Sequence, residues 1–296
     1  MRQRKFPFLL LMPLIVLTVL VLSGAAVCLV QSIGIIPSLG LTNPTLQYFA
    51  DLLKGNGEGS SASLLDSAGI SLYIAFASSL LSVSIGVLLC RAVISCKRAE
   101  GLMRQLLTVP IMLPHTVAAL FTVFLCSQSG IFSRLLYIMG VMPDQDAFPA
   151  LLYDEGSIGI IMAYLWKGIP FVCYFVLPSM KGIDPALYEA AYSMGATKWK
   201  SFFRITLPIC LPAILGALFI LLSYNFGAYE LPFLLGATSP KALPVQAYIE
   251  YTHPDLLHRP YAMAMNAVML LISLVFAVLW WKSYSFACKR TGGRQQ

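Results

Sequence analysis

Two ionisable side chains, Lys167 and Glu230, fall inside long apolar segments of this 296-residue chain. An unpaired charge at the centre of a lipid bilayer costs on the order of 3 kcal/mol, so a residue of this kind faces other protein groups or water. Lys167 therefore either lines a pathway or packs between helices, where Pro170 can free backbone carbonyls for the ammonium group.

The surroundings of Glu230 also allow two interpretations. Asn225 and Tyr229 lie near Glu230 on one face of the same predicted helix, and Tyr224 borders that face. A carboxylate with aromatic neighbours can hold a cation or an amine through charge and cation–π contacts. A buried hydrogen bond between helices explains the same residues equally well, whereas His115 is more typical of helix packing than of ligand binding. The candidate pathway residues are thus Glu230, Tyr229, Asn225 and Lys167.

Groups with catalytic or metal-binding potential are sparse elsewhere in the chain. We identify no paired catalytic carboxylates, no nucleophile motif and no Cys/His cluster with ligand spacing in the loops. The seven cysteines form no Cys-x-x-Cys pair, and we expect them to act as small buried hydrophobic residues. The glycine-rich segment 55–61 lacks the Lys-Ser/Thr ending of a phosphate loop. We expect no catalytic residue, cofactor or metal in this chain.

The composition is that of a membrane protein. Hydrophobic residues make up 58% of the chain and charged residues 11%, against about 25% charged residues in a soluble domain. The net charge of +7 comes from short basic clusters between apolar runs. This distribution is typical of membrane topology signals and not of a nucleic-acid-binding face.

Six segments are apolar enough to span a bilayer as helices, which takes about 20 residues each. They cover residues 7–31, 68–90, 106–128, 156–179, 208–234 and 262–287. The first has the basic start of a signal peptide, and Ser23-Gly24-Ala25-Ala26 resembles a cleavage site. Its apolar run is longer than a signal peptide needs, so we expect residues 1–26 to remain as part of a span.

Lysine and arginine are distributed unequally over the segments between the spans. The N-terminus, two alternate loops and the C-terminus are basic, with Arg2, Arg4, Lys5, Arg91, Lys97, Arg98, Arg104, Lys181, Lys198, Lys200, Arg204, Lys282, Lys289, Arg290 and Arg294. The other loops carry most of the acidic residues. By the positive-inside rule both termini and the loop between spans 4 and 5 lie in the cytoplasm.

One outer segment, residues 130–155, is too short and too interrupted to span the membrane. We expect it to form a short helix along the outer surface. Gly140 is placed to end that helix, since glycine readily adopts the left-handed conformation found there. A plain loop is the alternative.

Residues 184–206 predict a helix–turn–helix hairpin on the cytoplasmic side. Asp184 can cap the first helix, and Pro185 suits its first position. Gly195 can end that helix in a left-handed conformation, and Thr197 can cap a second helix over 198–206. Small and apolar residues recur at helical spacing on the first helix: Ala186, Leu187, Ala190, Ala191 and Met194. Such a face lets another protein surface approach closely.

The hairpin resembles the EAA loop of permease subunits in ATP-binding-cassette (ABC) importers. That resemblance rests on residues at the spacing of the family pattern: Glu189, Ala190, Ala191, Gly195, Ile205, Leu207 and Pro208. The stretches 165–171 and 109–115 also resemble segments of these permeases, so the likeness extends from residue 65 to residue 285. Because the family stretch includes a lysine at the place of Lys167 whatever the cargo, we favour helix packing for that residue.

This resemblance implies an all-α membrane protein with six transmembrane helices, the MetI-like fold of type I ABC importers, in the inner membrane of a bacterium. Both ends of the chain would lie in the cytoplasm. The implied divisions are a first helix with an outer loop (1–67), a core of five helices (68–287) that contains the coupling loop (181–207), and a cytoplasmic tail (288–296).

The resemblance also implies partners. The first helix of the hairpin would enter a groove on one of two ATPase subunits, which bind ATP and Mg²⁺, and Glu189 would anchor the loop or the interface. A second permease, identical or related, would complete the channel, and an extracytoplasmic binding protein would deliver the solute. An amphipathic hairpin that binds anionic lipids is the alternative interpretation.

The outer segment 239–265 is similar to that of permeases for polyamines, thiamine, iron, and phosphonate or sulfate. We therefore expect a small polar or charged solute, with a polyamine as the first choice. The rival function is an ion-gradient-driven secondary transporter that uses Lys167, Glu230 and His115 as coupling groups. The short six-span chain and the complete EAA pattern argue against this rival, and a membrane enzyme ranks last.

Overall fold

The computed structural model describes residues 8–55, 63–95, 100–144 and 147–290. These residues are mainly helical, and within them the β-type pairing is an isolated bridge between Ile36 and Leu41. Some residues used in the sequence analysis lie outside the described residues: Arg2, Arg4, Lys5, Lys97, Arg98, Arg294 and most of the glycine-rich segment 55–61.

The helices follow the apolar segments of the sequence. They are α1 (Phe8–Ser32), α2 (Gln47–Lys54), α3 (Leu64–Ser95), α4 (Glu100–Met112), α5 (His115–Cys126), α6 (Ile131–Ile138), α7 (Ile158–Lys181), α8 (Pro185–Ser193), α9 (Lys198–Ser201), α10 (Leu207–Gly227), α11 (Glu230–Leu235), α12 (Leu243–Tyr251) and α13 (Arg259–Arg290). Within the described residues, six helical segments are long and apolar enough to cross a membrane, which confirms the predicted number: Leu11–Ser32, Leu64–Ser95, His115–Ile138, Ile158–Lys181, Lys198–Gly227 and Leu256–Ala287.

The predicted bounds of the third span, 106–128, are wrong. The chain forms α4 and α5 with a break between them at Leu113 and Pro114, and the spanning segment begins only at His115. Proline has no backbone N–H to donate, and it disfavours the helical conformation of the residue before it. The break therefore falls where the sequence places Leu113 before Pro114.

The fifth span also differs from its predicted range of 208–234. At its outer end α10 stops at Gly227, and α11 begins after Ala228 and Tyr229. In an uninterrupted helix the ring of Pro232 would clash with the carbonyl group of Ala228, four residues earlier. The second break in a long apolar segment thus lies within one turn before a proline, although α7 and α10 accommodate Pro170, Pro178 and Pro212 without a break.

The cytoplasmic end of α10 has no break. The predicted second hairpin helix, 198–206, begins as α9 and continues through a π-helical segment, Phe202–Thr206, directly into α10. The second arm of the hairpin is therefore the first part of the spanning helix. Pro208, which has no backbone N–H to donate, directly follows this π-helical segment, where the Leu207 N–H donates to the Phe202 carbonyl and the regular α-helical pattern is interrupted.

The short helix predicted within 130–155 is present as α6. It follows Gly130 and ends at Ile138, with Met139 as its C-cap. Gly140 comes next and adopts a φ of +68°. This conformation is the left-handed one that the sequence predicts for the end of the helix.

The chain separates into two compact units. The first comprises Met1–Leu65 together with Leu243–Ile272, and the second comprises Asp66–Ala242 together with Ser273–Gln296. In the first unit Tyr48 packs edge-on against Tyr261, with ring centroids 5.0 Å apart. The Cys28 thiol lies 3.7 Å from the Met263 carbonyl oxygen, which joins α1 to α13 within this unit.

The core of the second unit lies where α3, α7 and α10 meet. Its buried side chains are Val83, Val87, Cys90, Val172, Cys173, Val176, Met180, Ile183, Phe202, Cys210, Ile214, Ala217 and Leu221. Gly86 lets α3 approach α7 closely, since a Cβ atom at this position would lie 2.7 Å from the side chain of Val172. Close approach at small residues is the usual way in which helices associate in a membrane.

We predict that Gly86→Ala destabilises the protein by about 1–3 kcal/mol, because the added methyl group overpacks the contact with Val172. Thermal unfolding of the purified protein in detergent measures the effect. Gly69→Ala is the matched control, because Gly69 lies on the same helix and a Cβ atom there meets nothing within 4 Å. Equal stability of the two variants would contradict the prediction.

Candidate functional site

The cytoplasmic hairpin, residues 184–206, has the caps that its sequence predicts. The Asp184 carboxylate accepts a hydrogen bond from the backbone N–H of Ala186 at 2.9 Å, and Pro185 begins α8. The Thr197 hydroxyl accepts from the backbone N–H of Lys200 at 3.3 Å. Both helix starts are thus fixed by side chains next to them in sequence.

Gly195 makes the turn between the two arms of the hairpin. Its φ is +79°, in the left-handed region that disfavours residues with a Cβ atom. The Gly195 N–H donates to the Tyr192 carbonyl at 2.9 Å, and the Ala196 N–H donates to the Ala191 carbonyl at 2.9 Å. A Cβ atom at Gly195 would meet nothing within 4 Å, so the backbone conformation alone demands glycine here.

The two sides of α8 differ in exposure. Ala191 is buried and Tyr188 is half-buried, so this side packs against the rest of the chain. Leu187, Ala190 and Met194 are exposed on the other side, and the Met194 side chain is 82% exposed. We call these three residues the apolar stripe.

Glu189 lies beside the apolar stripe on α8. It is exposed, and within the described ranges its carboxylate has neither a hydrogen bond nor an ion pair. The carboxylate does not anchor the hairpin internally in this conformation.

Other residues of the EAA-like pattern connect the hairpin to the rest of the second unit. Ile205 and Leu207 pack, half-buried, against the core of α3, α7 and α10. The Tyr188 hydroxyl lies 2.8 Å from the Thr206 hydroxyl, so a hydrogen bond joins the first arm to the π-helical segment. Pro208 is exposed near the start of α10. The hairpin is therefore fixed by core packing and by a hydrogen bond between its arms, and it exposes one apolar face.

A second group of polar residues lies at membrane depth, beside the break between α4 and α5. Lys167 Nζ donates to the Leu113 carbonyl oxygen at 2.7 Å and lies 3.3 Å from His115 Nδ1. The sequence analysis expects Pro170 to free the carbonyl for this ammonium group. The carbonyl instead comes from the break between α4 and α5, where Leu113 lies outside both helices and outside their regular hydrogen-bonding pattern.

Glu230 and Tyr224 complete this group. Tyr224 Oη lies 2.9 Å from His115 Nε2, and Glu230 Oε2 lies 3.8 Å from His115 Nδ1. The Glu230 side chain is 54% exposed, whereas that of His115 is 23% exposed. We call Lys167, His115, Tyr224 and Glu230 the polar cluster. His115 is its centre, a role that the sequence does not indicate.

The other two candidate pathway residues, Asn225 and Tyr229, make further contacts. The Asn225 carboxamide is buried and donates to the hydroxyl groups of Ser78 at 2.8 Å and Ser79 at 3.2 Å. In this conformation Asn225 therefore holds α10 to α3. Tyr229 stacks on Phe233, with ring centroids 4.9 Å apart.

The first unit contains a buried polar pair that the sequence analysis does not single out. Glu250 is 3% exposed, and its carboxylate lies 2.7 Å from His258 Nδ1 and accepts from the Gln246 amide at 3.1 Å. These bonds satisfy a buried charge and fix the segment between α12 and α13. Within the described part of the chain, no three His, Cys, Asp or Glu side chains are grouped so that they could hold a metal ion.

The chain is similar to characterised transport proteins. It is 24% identical over 211 residues to the sulfate transport system permease protein CysT of Synechocystis sp., which covers 71% of this chain and 70% of that protein. It is 27% identical to the sn-glycerol-3-phosphate transport system permease protein UgpA of Agrobacterium fabrum, over 76% of this chain and 74% of the relative.

The fold also has a counterpart among solved structures. The crystal structure of a bacterial ABC transporter for the acidic polysaccharide alginate contains a chain that matches with a TM-score of 0.72 and 21% identity. The match covers 98% of this chain and 96% of the other, and it confirms the predicted fold.

The family model described as "binding-protein-dependent transport system inner membrane component" matches residues 82–284, which is more than half of the chain and includes the hairpin and the polar cluster. This chain therefore belongs to that family, the inner-membrane permease subunits of type I ABC importers.

Proposed function

We propose that the apolar stripe on α8 docks on the ATPase subunit of this importer and that the polar cluster contacts a small anionic solute. ATP hydrolysis in the family takes place in a separate subunit, so the permease must receive motion through a surface. The observation that carries the first part is the exposure of Leu187, Ala190 and Met194 on a helix whose other side is packed. An exposed apolar face of this kind marks a protein interface.

The composition of the stripe suits a groove on a partner protein. Ala190 is small enough for a partner backbone to approach, while Leu187 and Met194 can fill pockets on either side of it. The exposed Glu189 carboxylate lies beside them, and we assign it to the interface, where a donor from the ATPase would complete a charge-assisted hydrogen bond.

The motion would then pass along the chain. Two ATPase subunits close on ATP and move the hairpins that are docked on them. In each permease the second arm of the hairpin continues into α10, so its displacement reaches the membrane-spanning part directly. A second permease, identical or related, would form the other half of the channel, and the extracytoplasmic binding protein would deliver the solute from outside.

Purification from the native membrane in mild detergent tests this arrangement. The proposal expects an ATPase with a phosphate loop to be recovered with the permease, and to be lost when Met194 and Leu187 are both changed to aspartate. Retention of the ATPase by this double variant would exclude the apolar stripe as the docking surface.

We predict that Gly195→Val lowers ATP-driven uptake by about ten-fold or more, because valine is strained by 1–3 kcal/mol or so at a φ of +79° and displaces the arms of the hairpin. The amount of permease in the membrane should stay the same. Uptake per permease, measured in cells that carry the whole transporter, gives the result.

Gly195→Asn is the matched control, because asparagine tolerates the left-handed conformation and its side chain also enters open space. We expect it to keep most of the uptake. If Gly195→Val also transports at the normal rate, the turn at Gly195 has no part in coupling.

The charge of the proposed solute is inferred from the polar cluster. The Lys167 ammonium carries three N–H groups, of which one binds the Leu113 carbonyl and another faces His115. The third N–H and the exposed Tyr224 hydroxyl can both donate to an oxyanion. The Glu230 carboxylate, more than half exposed, balances the positive charge of the empty cluster and is free to swing away when an anion enters.

The names of related permeases support an anion. Sulfate and sn-glycerol 3-phosphate, the solutes in the two names given above, are both small oxyanions. The polyamine that the sequence analysis ranks first has no such support. A polyamine would also meet the positively charged Lys167 beside Glu230.

We predict that Lys167→Met lowers uptake of radiolabelled sulfate or sn-glycerol 3-phosphate by about ten-fold, the factor expected for one lost charge-assisted hydrogen bond. Lys167→Arg should keep part of the uptake, because its guanidinium retains the charge and the donors for the Leu113 carbonyl. Lys282→Met, which removes an exposed lysine from α13, is the control for the loss of charge alone.

Spermidine provides the opposing measurement. The anion proposal is overturned if the transporter takes up spermidine, if this uptake depends on Glu230, and if Lys167→Met leaves it unchanged. A polyamine would then again be the favoured solute. In that case Glu230→Gln would lower spermidine uptake, whereas the anion proposal expects Glu230→Gln to leave anion uptake unchanged or higher.

A further inference from the structure

Arg91, near the cytoplasmic end of α3, packs against aromatic side chains of the second hairpin arm. Its guanidinium carbon lies 3.2 Å from the centroid of the Trp199 ring and 5.0 Å from that of Phe202. Trp199 in turn stacks on Phe203, with centroids 5.9 Å apart and planes at 20°. We call Trp199, Phe202 and Phe203 the aromatic cluster.

The bonding of Arg91 indicates that these rings are its main partners. Among the described residues it has no ion pair with a carboxylate, and its Nη1 atom is buried without a hydrogen-bond acceptor. The half-buried guanidinium group therefore lies against ring faces and not in a salt bridge. A planar guanidinium over an indole ring is a directional contact that lysine cannot reproduce by stacking.

The same two helices, α3 and α10, are also joined at a second level. The Asn225 carboxamide near the outer end of α10 donates to Ser78 and Ser79 of α3. Between the two levels Gly168 of α7 lies beside both Ser82 of α3 and Leu221 of α10, so α7 separates the two helices there. The Arg91 stack and the Asn225 bonds are thus direct, specific links between α3 and the continuous segment formed by the second hairpin arm and α10.

We propose that Arg91 is a positioning residue that passes the motion of the hairpin to α3. The second hairpin arm is covalently continuous with α10, but it reaches the cytoplasmic half of α3 through the aromatic cluster. The inference rests on the proposed docking of α8 on the ATPase, because without that docking no motion enters the hairpin. When the hairpin moves, the stack makes α3 and α10 move together.

The test places one spectroscopic probe on each helix. An unnatural amino acid that carries a nitroxide replaces Leu88 on α3 or Ile209 on α10, which are both exposed and lie toward the cytoplasmic ends of their helices. The complex of permease and ATPase is reconstituted in lipid nanodiscs. The measured quantity is the change in accessibility of each probe to a water-soluble relaxation agent when a non-hydrolysable ATP analogue is added.

In the wild type we expect both probes to respond. In Arg91→Leu the response at position 88 should fall by about five-fold, the factor expected for one partly desolvated contact of this type, while the response at position 209 persists. Arg91→Lys should give a response between those of the wild type and Arg91→Leu, since it keeps a cation over the ring but loses the planar stack. Trp199→Phe keeps a ring face and should retain the response at position 88, whereas Trp199→Leu should lose it.

Two results would overturn the inference. In the first, the response at position 88 is unchanged in Arg91→Leu, so that α3 follows α10 without the stack. In the second, the responses at positions 88 and 209 fall together, so that Arg91 supports the fold or the docking in general. If neither probe responds in the wild-type complex, the proposed coupling through α8 is contradicted. The wild-type measurement by itself separates this outcome from the two results above, which both require a wild-type response.

Discussion

A helix break at membrane depth releases a backbone carbonyl that lipid cannot satisfy, so the protein must provide a donor. Here the break at Leu113 and Pro114 is met by Lys167, whose ammonium lies 2.7 Å from the Leu113 carbonyl oxygen. The need for this bond explains a charge in the middle of α7. His115 lies next to the Lys167 ammonium, and Glu230 lies next to His115. The polar cluster therefore has a structural role, because the fold needs a cation at this carbonyl. The exposed groups of the cluster are those that we propose contact a solute.

The two functional regions of the permease are neighbours in the sequence. The segment from α7 to α10 contains Lys167 and Tyr224 of the polar cluster, and the hairpin of residues 184–206 connects the two helices that carry them. The proposed docking surface is thus joined directly to two helices that carry residues of the polar cluster. If the hairpin docks as proposed, it can act on residues at membrane depth without a separate domain in between.

The sequence predicts the local features of the hairpin, because Asp184, Gly195 and Thr197 act on backbone groups within three or four positions. It also predicts the number of spans and, through the EAA-like pattern, the family. It does not predict the break in the third span from hydrophobicity, since the apolar character continues across it and only Pro114 signals it. The contact between His115 and Tyr224 joins residues 109 positions apart, so it depends on packing that no local pattern encodes.

The uninterrupted segment from Lys198 to Gly227 has 30 residues, which at the usual rise corresponds to a rod about 45 Å long. Its cytoplasmic end is the second arm of the hairpin, and its outer end lies next to Tyr224. Tilting a rod of this length by ten degrees about its inner end shifts the outer end by about 8 Å, roughly the width of a helix backbone with short side chains. A small rotation of the hairpin would therefore produce a much larger displacement at the outer end of α10.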